Sequence, residues 1–538
     1  MGPRIEAFLE AAVEHIGRYG DTDVLPFPIE HHIFYDMQEA AASRLLHLHE
    51  HFDAFLDNDR LSPHFENVLA AVGYSGFRSV TQIDPLWNAY LLALVMSVGE
   101  DIERARIPRA EGVVFSYRFQ PDGEAKTVFA KDAGWPEFQA RATELAQAYR
   151  FVLVTDISDF YARVYHHRLK NALDEATQRR GEVKRIDTVL NRLSDGASFG
   201  LPVGGPAARL LSECLLNVVD QLLIADGIRF CRFADDYRLY AADREEAQRH
   251  LISLSMAMQK FGLSLQKGKT RILSREEFLA TAGREDGDVP GSDIVTQQFL
   301  ALKLHYDPYS ATADSDYRVL ADELNKFDIV GMLAREIRKS RVNQLVTRKL
   351  IRSVQYLDAL VRDHAILSLL ESLPILYPVF PTVCHLLKSQ IEQGLDKGVE
   401  VAIFKRLHDL VRRESYIILV PTNLAYAVRV LAHDTSQEAY ELLNRLFKTT
   451  SSTSIKADII LAMARLKRTA WVTARLDEYW RLGPWEQRSL IVASYCLDDR
   501  GRHWRDKLGD KAGLPPLHSL AMEWAAQKKN SGTWTVPI

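Results

Sequence analysis

Apolar residues recur at helical spacing through most of the first hundred positions, interrupted at Gly20 and by Pro26 and Pro28, and predict an N-terminal helical region over residues 1–100. Within it, Asp84 to Arg106 reads as one long helix, with Asp84 as cap and Pro85 in the first turn. The spacing then shortens to two. Val113 to Phe119 is strand-like, Gln120-Pro121-Asp122-Gly123 is turn chemistry, and Lys126 to Phe129 returns, which predicts a hairpin. Phe151 to Thr155 is a short β-branched run ending at Asp156, the pattern of a buried strand. Two more strands, Ile228–Phe233 and Tyr237–Tyr240, flank an Ala-Asp-Asp turn, and helical periods fill 205–226 and 243–261. Strands and helices therefore intermix over 101–305, an α+β arrangement. From about Tyr317 onward only amphipathic helices of 10–15 residues remain, such as Leu424-Val428-Leu431 and Ile455-Ile459-Met463, with Gly483-Pro484 breaking the chain before a helix from Trp485 to Leu497. Short loops between paired helices predict an all-α region of stacked repeats over 306–538.

Composition narrows the classes without choosing one. Among 538 residues, 47% are hydrophobic and 26% charged, an ordinary globular balance that excludes a fully disordered chain. Lys and Arg number 67 against 71 Asp and Glu, which rules out a uniformly basic nucleic-acid coat but leaves room for a local basic groove. Cys214, Cys231, Cys384 and Cys496 are widely spaced, with no CxxC, so neither a disulfide framework nor a zinc ribbon is expected. The longest apolar run, Leu91 to Val98, falls far short of the ~20 residues of a membrane helix. The first residues lack the apolar core of a secretory signal, and Glu6 stands where myristoylation takes Ser or Thr. A soluble protein of a reducing cytoplasm is expected, with no membrane partner.

The candidate chemistry sits in the mixed region. Adjacent carboxylates at a hairpin tip, Asp235 and Asp236, repel each other and raise each other's pKa, a cost that a divalent cation removes. Asp156, at the end of the buried strand, is 79 residues upstream; placed in one sheet with the hairpin, it brings a third carboxylate to the same point. Hard oxygen ligands of this kind suit Mg²⁺, with Mn²⁺ as the alternative, and two such ions clamp the oxygens of an in-line phosphoryl transfer. Asp159 is the rival ligand and is read as a structural or capping residue. Between these motifs lies Gly200-Leu201-Pro202-Val203-Gly204-Gly205-Pro206, where glycines permit close approach before a helix N-terminus. Gly262 to Thr270 then carries Lys267 and Lys269 on a tight loop, either a solvated pair or, near three carboxylates, able to neutralise a triphosphate.

Taken in order, Asp156-Ile157-Ser158-Asp159-Phe160-Tyr161, Gly200-Leu201-Pro202-Val203-Gly204, Phe233-Ala234-Asp235-Asp236 and Gly262-Leu263 with Lys269-Thr270 resemble motifs A to D of reverse transcriptases over about residues 100–305. The resemblance implies fingers and a palm with two metal ions held by Asp156, Asp235 and the Ile157 carbonyl, Asp236 completing the acidic cluster. It implies that Tyr161 lies under the incoming sugar, that Lys269 acts near the leaving pyrophosphate, and that Pro202 and Gly204 line the nucleotide site. Arg118, Lys126 or Lys131 of the hairpin would contact the triphosphate. Val203 departs from the glutamine common after Gly-Leu-Pro, and this variant is similar to bacterial defence reverse transcriptases of the Abi and DRT ("unknown group") lineages, which carry a HEAT-like helical domain at the same place. That similarity implies a cytoplasmic bacterial polymerase of abortive infection, using dNTPs, making DNA from an RNA template or without one, partnered by its nucleic-acid product and a non-coding RNA, and assembled as a trimer or hexamer. The competing readings are a retroelement-type reverse transcriptase and a catalytically idle RNA-binding scaffold.

Other conspicuous residues have plainer expectations. The adjacent side chains of His31-His32 and of His166-His167 point apart, so neither pair is expected to share a metal. Cys384-His385 and Trp471, Trp480, Trp485 and Trp504 are expected in helix cores, and Arg335, Arg338, Lys339 and Arg341 either on a solvated helix face or along a nucleic-acid backbone.

Overall fold

The computed structural model describes residues 4–281, 294–302, 320, 323–324, 326–508, 514–532 and 534–538. The centre of the mixed region is a four-stranded antiparallel sheet in the order β6-β7-β5-β8, formed by β5 (Phe151–Asp156), β6 (Arg229–Phe233), β7 (Asp236–Ala241) and β8 (Arg271–Ser274). Val152, Leu153, Phe230, Cys231, Leu239 and Tyr240 are buried within it. The helices Pro206–Ala225 and Arg244–Lys260 form at the expected positions, each burying an apolar stripe; Asp243 caps the second through the Glu246 amide at 2.8 Å.

The predicted hairpin at 113–129 is displaced. The strands are β3 (Phe119–Asp122) and β4 (Thr127–Phe129), and the turn lies at Asp122 to Lys126, where Asp122 Oδ1 accepts from the amides of Glu124 and Ala125 at 2.9 Å. The strand-like residues before Phe119 serve the main sheet: Phe115 donates to the Arg232 carbonyl and Arg232 to that of Val113. Tyr117, at φ 44°, ends that run and turns the chain into the hairpin.

Two further expectations change in the N-terminal region. The helix beginning at Asp84 forms with Asp84 as its cap, but it divides into Pro85–Ser97 and Gly99–Ala105. At the break the chain packs closely, and a Cβ on Gly99 would lie 2.5 Å from the Phe119 ring. Second, β1 (Phe65–Val72) and β2 (Gly76–Ile83) form an antiparallel hairpin where helix was expected. Its Ala- and Leu-rich first strand hides the period of two, and contacts far away in sequence decide the conformation. Tyr74 at the turn donates to the Ile375 carbonyl at 2.6 Å and accepts from the Val342 amide at 2.9 Å, while Glu66 Oε2 accepts from the Ser454 amide at 3.0 Å.

From Ile329 on, every described element is helical, ending with Pro516–Asn530. The helix read at Trp485–Leu497 spans Pro484–Ser494. Neighbouring helices are capped by Asp396, Ser436 and Ser452, as expected of short inter-helix loops. One continuous apolar cluster runs from Leu9 through the sheet region to Ile538. Across it, the buried Arg488 guanidinium pairs with Glu30 and, at 2.9 Å, with Asp84. Cys384, Trp471 and Trp485 are buried, whereas Trp480 is 61% exposed under Arg60, against the expectation of a core residue. No helix among the described residues is long and apolar enough to cross a membrane.

Candidate active site

Register places the acidic residues. Asp156 at the end of β5 lies directly opposite Asp236 at the start of β7, and in an antiparallel pair opposed residues project from the same face. Asp235 sits in the two-residue turn between β6 and β7, preceded by Ala234 at φ 50°. On the other side of β5, Ser158 donates to the Ser264 carbonyl and Gln266 to that of Asp156, so Ile157 and Leu265 form a pair without hydrogen bonds of their own. Such pairing turns the Ile157 carbonyl away from Leu265, toward the side on which the β6–β7 hairpin lies.

Burial, and then the neighbouring charges of Asp156 and Asp236, push the Asp235 carboxyl up to about 8. Asp236 is also raised by burial, opposed by Arg238, whose guanidinium lies 3.6 Å from it. Lys269 Nζ contacts Asp156 Oδ2 at 2.7 Å, while Asp156 Oδ1 is buried without a hydrogen-bond donor. The three carboxylates do not present ligand atoms within 4.8 Å of one another; among the described residues only His47, Glu50 and His51, on an exposed helix end, do so. The donor set nonetheless fits a hard divalent cation: three carboxylates on one side of a sheet, one with an orphaned buried oxygen, and Asp235 crowded by like charge. Asp159 is exposed and faces Arg163 at 3.5 Å; it precedes the short helix Phe160–Arg163, which its side chain does not cap.

The aromatic residues divide cleanly. Phe160 is buried in the core, whereas Tyr161 is close enough to Asp235, Tyr117 and Arg209 to feel their charges, and burial pushes its hydroxyl upward. The Gly200–Gly205 loop is tied to this residue, Leu201 donating to the Tyr161 carbonyl at 2.8 Å. Pro202 is half-buried in that loop. Gly204, at φ 110°, is filled by the chain itself: a Cβ there would lie 2.5 Å from Thr22 Oγ1. The close approach permitted by this glycine is therefore made by residues 22–23 and not left open for a phosphate.

Arg118 requires a correction. It is 1% exposed, with its guanidinium on Glu103 at 3.0 Å and the Ile107 carbonyl at 2.6 Å, so it is not available to a triphosphate. Lys126 pairs with Glu14 at 2.8 Å and Lys131 with Asp122 at 3.4 Å.

Sequence reasoning missed the support beneath the hairpin. Arg232 is fully buried, binds Asp220 through Nε at 2.8 Å and Nη2 at 2.6 Å, reaches Glu213 at 2.9 Å, and donates to the Ala234 carbonyl at 3.2 Å. Burial alone would lower its pKa, but Asp220 and Glu213 hold it well above the ordinary value. Arg106 completes the network on Glu213 at 2.6 Å. An arginine on the same strand face as Phe230, and acidic residues on the apolar stripe of the helix before it, were the readable signal. Tyr117 was also missed; its ring packs on Phe129 and Phe233 and under Arg209.

Residues 111–301 match the family described as reverse transcriptase (RNA-dependent DNA polymerase). They form a reverse transcriptase domain. Every carboxylate and aromatic residue of the site lies inside it. No curated protein matches the chain. Among solved structures, a telomerase from Candida albicans in complex with the TWJ fragment of telomeric RNA is 12% identical, with 76% of this chain covered and a TM-score of 0.28. The match spans 66% of that chain. The site is set in this domain, which follows the N-terminal helices and the β1–β2 hairpin and precedes a long helical region.

Proposed function

We propose that the chain is a DNA polymerase that transfers nucleotidyl groups from dNTPs, on an RNA template or without one, in the defence of a bacterial cell against phage. The observation that carries the chemistry is the opposition of Asp156 and Asp236 across β5 and β7 with Asp235 in the intervening turn. Asp156, Asp235, Asp236 and the Ile157 carbonyl are the groups that would hold two Mg²⁺ ions. When bound, such a pair supplies the charge that stabilises both the attacking and the leaving oxygen of an in-line displacement. Lys269, half-exposed beside Asp156, is set to neutralise charge on departing pyrophosphate. Phage defence rests on the Gly-Leu-Pro-Val variant and the helical C-terminal half, and the same two features favour it over a retroelement enzyme. Three carboxylates held together against their own repulsion argue against an idle scaffold.

The test is incubation of the purified chain with each labelled dNTP and NTP, with and without Mg²⁺ and added template. Incorporation of dNTPs that stops on chelation is expected; none under any condition overturns the reading. Phage plating on cells with and without the gene separately tests the defence role.

Tyr161 is the expected sugar gate. A close-packed ring leaves no room for a ribose 2′-hydroxyl, and overpacking costs ~1–3 kcal/mol, or roughly 5- to 150-fold discrimination. Tyr161→Ala should raise NTP use relative to dNTP use by that order with unchanged metal dependence. An unmoved ratio assigns the ring to packing alone.

The helical half is proposed to build a homo-oligomer, a trimer or hexamer, and light scattering should give the corresponding multiple of the monomer mass at micromolar concentration. A monomer mass removes that part of the proposal.

A further inference from the structure

A second set of metal-ligating side chains, of different chemistry, lies outside the catalytic sheet. His47, Glu50 and His51 each bring a ligand atom within 4.8 Å of the other two. The spacing explains why they converge. His47 and Glu50 stand on the last turn of the helix Gln38–Glu50, and His51 is the residue that ends it. Residues three and four apart are neighbours on one helix face, so the three side chains meet on one side of that turn. Leu45 and Leu48 go into the core, while the trio is exposed. His49 is turned elsewhere: its Nδ1 meets the Tyr90 hydroxyl at 3.0 Å and the Arg185 guanidinium at 2.9 Å, so it is already engaged.

Two features prepare the trio for an ion. The first is the tautomer of His51, whose Nδ1 lies 3.0 Å from the His47 carbonyl oxygen. A carbonyl only accepts, so Nδ1 carries the proton and the lone pair of the neutral ring is on Nε2. A carbonyl or carboxylate on the far ring nitrogen is the support that metal-bound histidines have, and here the fold supplies it. The second is the placing of the His47 ring. Its centroid lies 4.3 Å from that of His51 and 5.8 Å from that of Phe55, which meets it edge-on. Rings held on two sides have less rotamer freedom left to lose when a metal fixes them.

The donor set selects the ion. Two imidazoles and a carboxylate suit borderline ions such as Zn²⁺, whereas Mg²⁺ takes oxygen ligands and keeps several waters. Asp156, Asp235 and Asp236 offer oxygen alone, so the two clusters differ in the cation they favour.

We propose that His47, Glu50 and His51 form a site for a late first-row divalent ion, Zn²⁺ foremost, with a remaining coordination position open to water. The ion fastens the end of the helix Gln38–Glu50 to the start of the helix Phe52–Leu56, across a junction where His51 leaves helical geometry at φ −114° and ψ 30°. The site is independent of the polymerase reading, because none of its ligands belongs to the catalytic sheet.

Calorimetric titration of the chelator-treated full chain with Zn²⁺, in excess Mg²⁺ to keep the acidic cluster occupied, decides it. One ion per chain is expected to bind. His47→Gln and His51→Gln should each weaken binding at least ~10-fold, no less than the loss of an outer partner of a ligand does. Glu50→Gln should weaken it less, since an amide oxygen remains, and His503→Gln, exposed on another helix, should leave it unchanged. Co²⁺ in place of Zn²⁺ should give visible absorption bands that His47→Gln/His51→Gln abolishes. Zn²⁺ should raise the melting temperature of the wild-type chain and not of that double variant, and the same melts establish that each variant is folded. No Zn²⁺ binding by the wild-type chain, equal affinity and stoichiometry in the double variant, or displacement of Zn²⁺ by Mg²⁺ overturns the site.

Discussion

Asp235→Asn is expected to lower nucleotide incorporation by about three to four decades, the loss of ~4–6 kcal/mol of transition-state stabilisation. Asparagine keeps the shape and removes the charge, so the turn at Ala234 and its contact with Arg232 should survive. Stability should move the other way. The aspartate is crowded by burial and by two like charges, so the metal-free variant should melt no lower than the wild-type chain. Mg²⁺ should raise the wild-type melting temperature, because it binds only the folded state, and leave the variant nearly unmoved. Incorporation assays and melts with and without chelator measure both halves. A variant that incorporates at the wild-type rate would remove Asp235 from the reaction.

The second large effect lies one layer deeper. Arg232→Met should cost ~3–5 kcal/mol of stability, because it strands the buried Asp220 and Glu213 carboxylates without their shared partner. It should also depress incorporation in protein that remains folded, since the Ala234 carbonyl loses the donor that holds the catalytic turn. Arg232→Met/Asp220→Leu should recover part of the stability, as apolar replacement of a whole buried pair generally does, without restoring the rate. Denaturant midpoints and initial rates separate these outcomes. Equal stability of wild type and single variant would mean that water relieves the network.

Much of this site was legible because its chemistry is local. Asp156 at a strand end, the Ala-Asp-Asp turn and Tyr161 five residues past Asp156 are short-range patterns, and the sheet brings the first two together by register. What was not legible depends on distant partners. The β1–β2 hairpin owes its conformation to Ile375, Val342 and Ser454, hundreds of residues away. Arg118 reads as an exposed strand-end cation, and only the position of Glu103 on another helix turns it inward. Gly204 reads as a ligand contact, yet Thr22 takes its space.

The buried triad of Glu30, Asp84 and Arg488 has a consequence for how the molecule comes apart. It fastens a helix near the C-terminus to two elements of the first ninety residues, across an apolar cluster that passes through the catalytic sheet. Opening that seam would expose a charged group on each side with no partner, so partial unfolding of either end is opposed by the other. Heating should therefore give one calorimetric transition and not a sequence of them.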